Sequence, residues 1–387
     1  MKNLFKILIV DDTEVNREFL KTLIETRESS YEYIIIEAED GNEAIKILKD
    51  TPQIDLVILD MMMPVYDGFY FLDNFKSITG EKYLPVIVMS AVGDTKVVSK
   101  AFEYGIYDYF IKPLSTDQIL SFELKIKNAL GMKTFQDELR LRNKIMENEI
   151  LLASKMQRRF LPKYIDNQNF SLSYYFSPFS GLSGDYLDYF KIDSDNLLIV
   201  LADVVGHGAA SAILSAMIKM HTNDFILNNA EDFSIEKFVM SINAELLKLD
   251  VDEVIVTAFI GLYNLKTKNF KYVIAGHPYP VLMNSITKQI EFIETGACLP
   301  MGIFKDLKPE HNSFDMKSGD TLIIYTDGIM EAKTENNEYF GLNNIKLYSE
   351  NFAKNNKEFN SESYVKMLLK DLTHIKDDLS IIFLTVK

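Results

Sequence analysis

The sequence predicts an α/β protein of two folds in series, a doubly wound five-stranded parallel sheet followed, after a helical connection, by an α+β layered domain. Three observations carry this. Residues 1–128 alternate short apolar runs with helix-length amphipathic segments, the pattern of strands buried on both faces by crossover helices. Residues 129–165 lose that alternation and are dense in Glu, Lys, Arg, Leu and Met. Residues 166–387 set several strand-like runs in direct succession with long helical segments apart from them, which favours α+β layering. The length of 387 residues agrees, since one domain takes ~150 residues.

In the first domain, strands are expected at 6–10, 33–36, 56–59, 86–89 and 107–111, all rich in Ile, Val and Leu. Helices are expected at 15–24, 43–48, 69–75 and 96–104, with a last one at 116–130. The stretch 132–160 holds neither Pro nor Gly and reads as a long helix. Leu139, Met146, Ala153 and Phe160 fall seven apart, but Arg142 and Glu149 occupy the complementary positions, so the heptad is broken. A mixed-charge linker and a weakly homodimerising signalling helix both fit that pattern. Beyond Pro162, strands are expected at 171–176, 186–192, 197–202, 254–262, 270–274, 281–283, 321–325 and 379–386, and helices at 209–227, 235–249 and 362–372.

With 47% hydrophobic and 25% charged residues, the chain has the composition of a globular protein able to bury full cores. No apolar run approaches the ~20 residues that cross a bilayer, so no membrane partner is expected. Met1-Lys2-Asn3-Leu4 leads at once into a strand, without signal-peptide architecture, and Cys298 is a lone thiol; the expectation is a soluble, cytoplasmic protein. A net charge of −15 argues against nucleic acid as a partner. Carboxylates are, however, what hard divalent cations require.

In an open parallel sheet, ligands bind beyond the carboxyl ends of the strands. Asp11 and Asp12 follow the first strand, Asp60 the third, Ser90 the fourth and Lys112 the fifth, before Pro113, which pins the turn that leaves it. Each carboxylate alone could be solvated or cap a helix. Three on one edge repel one another unless a cation joins them, and oxygen ligands favour Mg²⁺. A hydroxyl and a lysine on that edge can hold phosphoryl oxygens.

The segments IVDD (9–12), LDMMMPVYDG (59–68), MSA (89–91) and YFIKP (109–113) resemble the receiver domain of two-component response regulators across 4–128. That resemblance implies Asp60 as phosphoacceptor, with Mg²⁺ held by Asp11, Asp12, Asp60 and the backbone carbonyl of Met62. Ser90 and Lys112 would hold the phosphoryl oxygens, and Tyr109 would report phosphorylation by its position. It also implies a histidine kinase or phosphotransfer protein as partner.

In the C-terminal half, Asp185 follows Ser183-Gly184, Asp203 ends a strand, Asp327 precedes Gly328, and Asp377-Asp378 precede the final strand. Each Asp-Gly alone is more often a turn. Carboxylates gathered from remote strand ends are also how a two-metal phosphate-ester site is built. Five histidines and one cysteine make Zn²⁺ a poor fit beside Mg²⁺ or Mn²⁺. SGDYLDYF (183–190), ADVVGHGAASA (202–212), AGHP (275–278), LPMGI (299–303), IYTDGIMEA (324–332) and DDLSII (377–382) resemble the PPM-type metal-dependent serine/threonine phosphatases. They are nearest the bacterial branch in partner-switching control of sigma factors, and LASKMQRRFLP (152–162) resembles the segment leading into that domain.

The resemblance implies a sandwich of two antiparallel sheets flanked by helices, holding two Mn²⁺ or Mg²⁺. Asp203 would bridge the metals, Asp327 and Asp378 complete one shell, and Asp185 and the carbonyl of Val204 serve the other. Water activated by the cations would attack phosphorus directly. The implied substrate is a phosphorylated anti-sigma-factor antagonist, under control of Asp60; the alternative is a non-catalytic adaptor docking a sigma factor or its regulator. Val205 and Ser183 depart from the usual small residue and glycine. His207 and His277 are read as turn-bonding residues rather than general acids.

Overall fold

The computed structural model describes residues 4–26, 31–51, 53–80, 82–91, 95–249, 254–355 and 360–387. It divides into two compact units, Met1–Glu147 and Asn148–Lys387. Among the described residues, no helix is long and apolar enough to cross a membrane.

In the first unit, β1 (Leu4–Val10), β2 (Glu32–Ala38), β3 (Leu56–Asp60), β4 (Val86–Ala91) and β5 (Asp108–Lys112) form one sheet in the order β2-β1-β3-β4-β5. Every pairing is parallel. The near-continuous apolar strands are explained by the two cores they separate. Ile7, Ile9, Leu56, Ile58, Ile87 and Met89 pack under α1 (Glu14–Glu25) and the start of α5 (Thr116–Arg158). Leu8, Val10, Val57, Leu59, Val86 and Val88 pack under α2 (Gly41–Asp50), α3 (Gly68–Thr79) and α4 (Thr95–Glu103). Asp40 and Asp67 cap α2 and α3 through their side chains, so these two aspartates are spent on helix starts.

The helices expected at 116–130 and 132–160 are one, α5. Gly131 between them is exposed and costs only ~1 kcal/mol in a helix; with no proline and no C-terminal cap nearby, nothing stops the hydrogen-bond ladder. Beyond the buried Ala129 and Leu130, the apolar side chains of Met132, Phe135, Leu139, Ile145 and Met146 are exposed.

The second unit is a sandwich. One sheet runs β14 (Ala297–Cys298), β11 (Asn269–Ala275), β10 (Val256–Asn264), β9 (Asn196–Val204), β8 (Tyr186–Lys191), with β15 (Asn312–Asp315) also on β11. The other runs β13 (Ile290–Phe292), β12 (Val281–Met283), β16 (Thr321–Tyr325), β19 (Leu379–Val386), β7 (Phe170–Ser177), β6 (Ile165–Asp166). Between the sheets, Ile199, Leu201, Phe259 and Tyr272 of the first meet Leu172, Ile324, Ile382 and Leu384 of the second. The outer face of the first sheet is covered by α6 (Ala209–Asn229) and α7 (Ile235–Lys248). The outer face of the second is covered by α9 (Gly341–Asn355) and α10 (Ser361–Leu368). The one-turn α8 (Gly328–Glu331) follows β16, and a ribbon of β17 (Lys333–Thr334) and β18 (Leu372–His374) completes the unit. The pairings are antiparallel apart from the two-residue edge strand β14, which runs parallel to β11. Apart from β12, expected at 281–283, strands of two to four residues escaped the sequence reading because they carry no period long enough to recognise, and α9 escaped it with its polar sequence.

A substitution tests the continuity of α5. A Cβ at Gly131 would meet nothing within 4 Å. Gly131→Ala is therefore expected to raise the unfolding free energy by about 0.5–1 kcal/mol in urea titrations; a loss of stability would mean the helix is interrupted there.

Candidate functional site

The parallel sheet brings Asp11, Asp12 and Asp60 to one edge because β1 and β3 are neighbours and both end there. One carboxylate oxygen from each lies within 4.8 Å of the others. Asp11 and Asp60 are buried and Asp12 is exposed. Lys112, at the end of β5, reaches Asp60 Oδ2 at 2.7 Å and Asp11 Oδ2 at 2.5 Å. Burial pushes the Asp60 carboxyl up, opposed by Lys112 and by the Met62 amide, which donates to Asp60 Oδ1 at 3.2 Å. Ser90 Oγ is buried without a hydrogen-bond partner. Tyr109 is half-buried, edge-on to Phe102 with ring centroids 5.9 Å apart.

Two side chains outside the motifs hold this edge. Asn16 Nδ2 donates to Asp11 Oδ1 at 3.0 Å, and the buried Arg17 donates from Nη1 to the Asp11 carbonyl at 2.8 Å. They sit in the first turns of α1, with no spacing that would single them out.

At the C-terminal ring, Asp185 precedes β8, Asp203 lies near the end of β9, Asp327 follows β16 and Asp377 and Asp378 precede β19. Asp185 is 3% exposed; its Oδ2 accepts from Thr326 Oγ1 at 3.1 Å, while Oδ1 is buried with no hydrogen-bond partner. Burial, then the charge of Asp378, pushes the Asp185 carboxyl up to about 8. Burial, then Asp185, Asp327 and Asp377, pushes Asp203 up to about 9. The Asp327 side chain makes no cap bond to α8. Among the described residues no lysine or arginine ion-pairs with any of these five aspartates. Repelling carboxylates and an unpartnered buried oxygen fit hard divalent cations.

Close backbone approaches assemble it. A Cβ at Gly184 would lie 2.9 Å from the Val204 carbonyl oxygen, so only glycine brings that carbonyl against the Asp185 turn. A Cβ at Gly328 would lie 2.1 Å from the Asp378 carbonyl oxygen, which joins the Asp327 turn to the entry of β19.

The adjacent Asp377 and Asp378 have different tasks. Asp378 Oδ1 accepts from the Phe179 amide at 2.8 Å and Oδ2 from the Gly184 amide at 2.7 Å, so its carboxylate ties down the 179–184 loop. Asp377 was not singled out in the sequence. Its half-buried carboxyl is pushed up by burial first, with Asp327 and Asp378 adding and His207 opposing. Two adjacent aspartates leave no sequence signal as to which one faces the ring.

Ser183, where a glycine is usual in the resembling family, accepts on Oγ from the Asp185 amide at 3.1 Å and so folds the turn itself. Val205 is exposed, its amide bonded to the Ile255 carbonyl at 2.9 Å. His207 is exposed and edge-on to Phe179. His277 is buried; its Nδ1 lies 3.2 Å from Thr257 Oγ1, and Thr257 is the cross-strand partner of Asp203.

The family described as Stage II sporulation protein E (SpoIIE) matches residues 193–387, and the response regulator receiver domain matches residues 7–122. Phosphoserine phosphatase RsbU of Bacillus subtilis (strain 168) is 25% identical over 275 residues, covering 69% of this chain and 79% of that protein. Phosphoserine phosphatase RsbP of the same organism is 28% identical over 189 residues, covering 48% of this chain and 46% of that protein. The solved SiaA-PP2C domain of Pseudomonas aeruginosa matches with a TM-score of 0.55 at 16% identity, over 65% of this chain and 100% of that one, a likeness of fold.

Burial pushes the His277 imidazole down from 6.5 to about 3. Below pH 6.5 the unfolded chain takes up a proton that folded His277 refuses until about 3, so stability is full above that window and falls as the pH drops through it. Between about pH 6.5 and pH 4, wild type should lose about 1.4 kcal/mol per pH unit more than His277→Gln in urea unfolding. Parallel curves for the two would show an ordinary, exposed titration instead.

Proposed function

From membership of the SpoIIE family, to which this chain belongs, we propose that it is a response regulator whose output is a metal-dependent phosphatase. Its substrate class is phosphoserine or phosphothreonine on a small partner protein, in the manner of an anti-sigma-factor antagonist. The observation that carries this reading is the convergence of Asp185, Asp203, Asp327 and Asp377 from four separate elements with no lysine or arginine paired to them among the described residues.

The proposed roles follow from the contacts. Asp203, whose carboxyl feels Asp185, Asp327 and Asp377, would be shared by both ions; Asp327 and Asp377 would hold one, and Asp185 with the Val204 carbonyl the other. Bound divalent cations supply a water nucleophile at neutral pH and neutralise the phosphate charge. Thr326 fixes the Asp185 carboxylate, leaving Oδ1 as the free ligand atom. Asp378 holds the 179–184 loop, and His277 orients Thr257 beside Asp203. At the first centre, Asp60 is the acceptor: Lys112 steadies its carboxylate, and Ser90 offers a donor that nothing in the fold uses. Asp11 and Asp12 complete a Mg²⁺ site there. A histidine kinase or phosphotransfer protein would supply the phosphoryl group, and the exposed Phe135, Leu139 and Met146 of α5 support pairing with a second copy of the chain. The domain limits proposed are 1–128, 129–165 and 166–387.

The test is phosphate release from a phosphoserine-bearing antagonist protein in Mn²⁺, with and without acetyl phosphate. Asp377→Ala is expected to lose activity roughly a hundredfold or more, the scale of removing one transition-state stabilising group. Asp378→Asn, which keeps one acceptor oxygen, should lose far less. The reverse order would return the ligand role to Asp378. Acetyl phosphate should change the rate of wild type and leave Asp60→Ala unchanged; equal rates throughout would remove the coupling and leave the phosphatase.

A further inference from the structure

The loops that carry the ring also carry apolar side chains open to water. Phe179 is 47% exposed and Val205 is 55% exposed. An exposed apolar residue is ordinary by itself. What sets Phe179 apart is how firmly its position is fixed. Its amide donates to Asp378 Oδ1 at 2.8 Å, and the far end of the same loop is tied by the Gly184 amide to Asp378 Oδ2 at 2.7 Å. Its aromatic ring meets the His207 imidazole edge-on, with centroids 5.8 Å apart and planes at 74°.

His207 comes from the other loop. It lies four residues after Asp203, between Gly206 and Gly208, whose φ of 92° and 100° lie in the left-handed region that glycine adopts without steric cost. The imidazole is exposed, and it stands near enough to Asp377 for its charge to act on that carboxyl. Val205 belongs to the same loop, its amide held by the Ile255 carbonyl at 2.9 Å. Phe179 and His207 thus form an aromatic lip where the loop tied by Asp378 meets the loop that follows Asp203.

A phosphoserine that reaches the ring brings its neighbouring residues against these loops. Phosphate and cations are common to every phosphoprotein, so discrimination between substrates falls to contacts beside the phosphorylated residue. An aromatic side chain already held in place meets an apolar neighbour without first being ordered, and such anchors carry much of the energy of protein recognition. We propose that Phe179, steadied by His207, is a specificity-determining residue that packs on an apolar side chain one or two residues from the phosphoserine of the protein substrate. It touches the flanking residue and not the phosphate, so it acts on KM rather than on kcat. This rests on the phosphatase reading above and narrows its substrate class to phosphoserine segments with an apolar flank.

The experiment measures kcat and KM of the full chain, in Mn²⁺ and acetyl phosphate, on three substrates. One is a phosphoserine peptide with Leu at the two positions on either side, the second has Ser in place of each Leu, and the third is p-nitrophenyl phosphate, which has no flanking residue. Wild type should favour the Leu peptide over the Ser peptide by roughly tenfold in kcat/KM, the low end of what an apolar contact is worth. Phe179→Ala should reduce that preference to about one, through a higher KM for the Leu peptide. Phe179→Leu, which keeps an apolar side chain, should retain most of it. Wild type that treats the two peptides alike overturns the proposal. So does an equal loss on all three substrates in Phe179→Ala, which would mean that the side chain only supports the loop on Asp378. Hydrolysis of p-nitrophenyl phosphate with neither peptide cleaved overturns it as well, while leaving a metal-dependent phosphatase. Cleavage of none of the three by wild type would instead refute the phosphatase reading itself.

Discussion

Like charges brought together out of water must be neutralised, and both halves of this chain are organised around that constraint. The parallel sheet delivers Asp11, Asp12 and Asp60 to one edge and also supplies a partial remedy, since Lys112 ends the strand next but one and bridges two of the three carboxylates. The sandwich delivers its aspartates to one ring and supplies no lysine or arginine to them among the described residues. Burial first, and then the neighbouring carboxylates, raise the proton affinity of Asp185 and Asp203, and a divalent cation competes for the same oxygens. The first centre therefore carries one positive side chain among its carboxylates, and the second carries none among the described residues.

Legibility in the sequence follows how each centre is assembled. The first was readable because a doubly wound sheet has one carboxyl edge, and successive strand ends fall on it by topology alone; Asp11, Asp60, Ser90 and Lys112 could be placed together without knowing a single contact. The ring of the sandwich draws from β8, β9, β16 and β19, which belong to two different sheets, so no rule of strand order brings them together. There the resemblance to a known family was needed. Where neighbouring residues compete for one task, the sequence does not separate them: the amides of Phe179 and Gly184 bond to Asp378 and not to Asp377, a difference that only the contacts show. The same holds for Asn16, Arg17 and Thr326, whose value lies in a contact rather than in a motif. Of the fold, the long apolar strands and the amphipathic helices were legible, and so was the short apolar β12; the polar α9 and edge strands such as β13 and β18 were not, because they show no apolar period.

The proposed control of the phosphatase by Asp60 is bounded by magnitudes. A neutral hydrogen bond contributes about 0.5–1.5 kcal/mol net, so making or breaking two of them shifts an equilibrium by about one to two powers of ten. That is the range of ordinary allosteric coupling, about 1–3 kcal/mol, and well short of the ~5.5 kcal/mol needed to drive a site from almost empty to almost full. Within the sandwich unit, Asp203, Asp327 and Asp377 sit in or beside strands β9, β16 and β19, whereas Asp185 lies on a turn whose buried Ser183 peptide groups bond to Gln157.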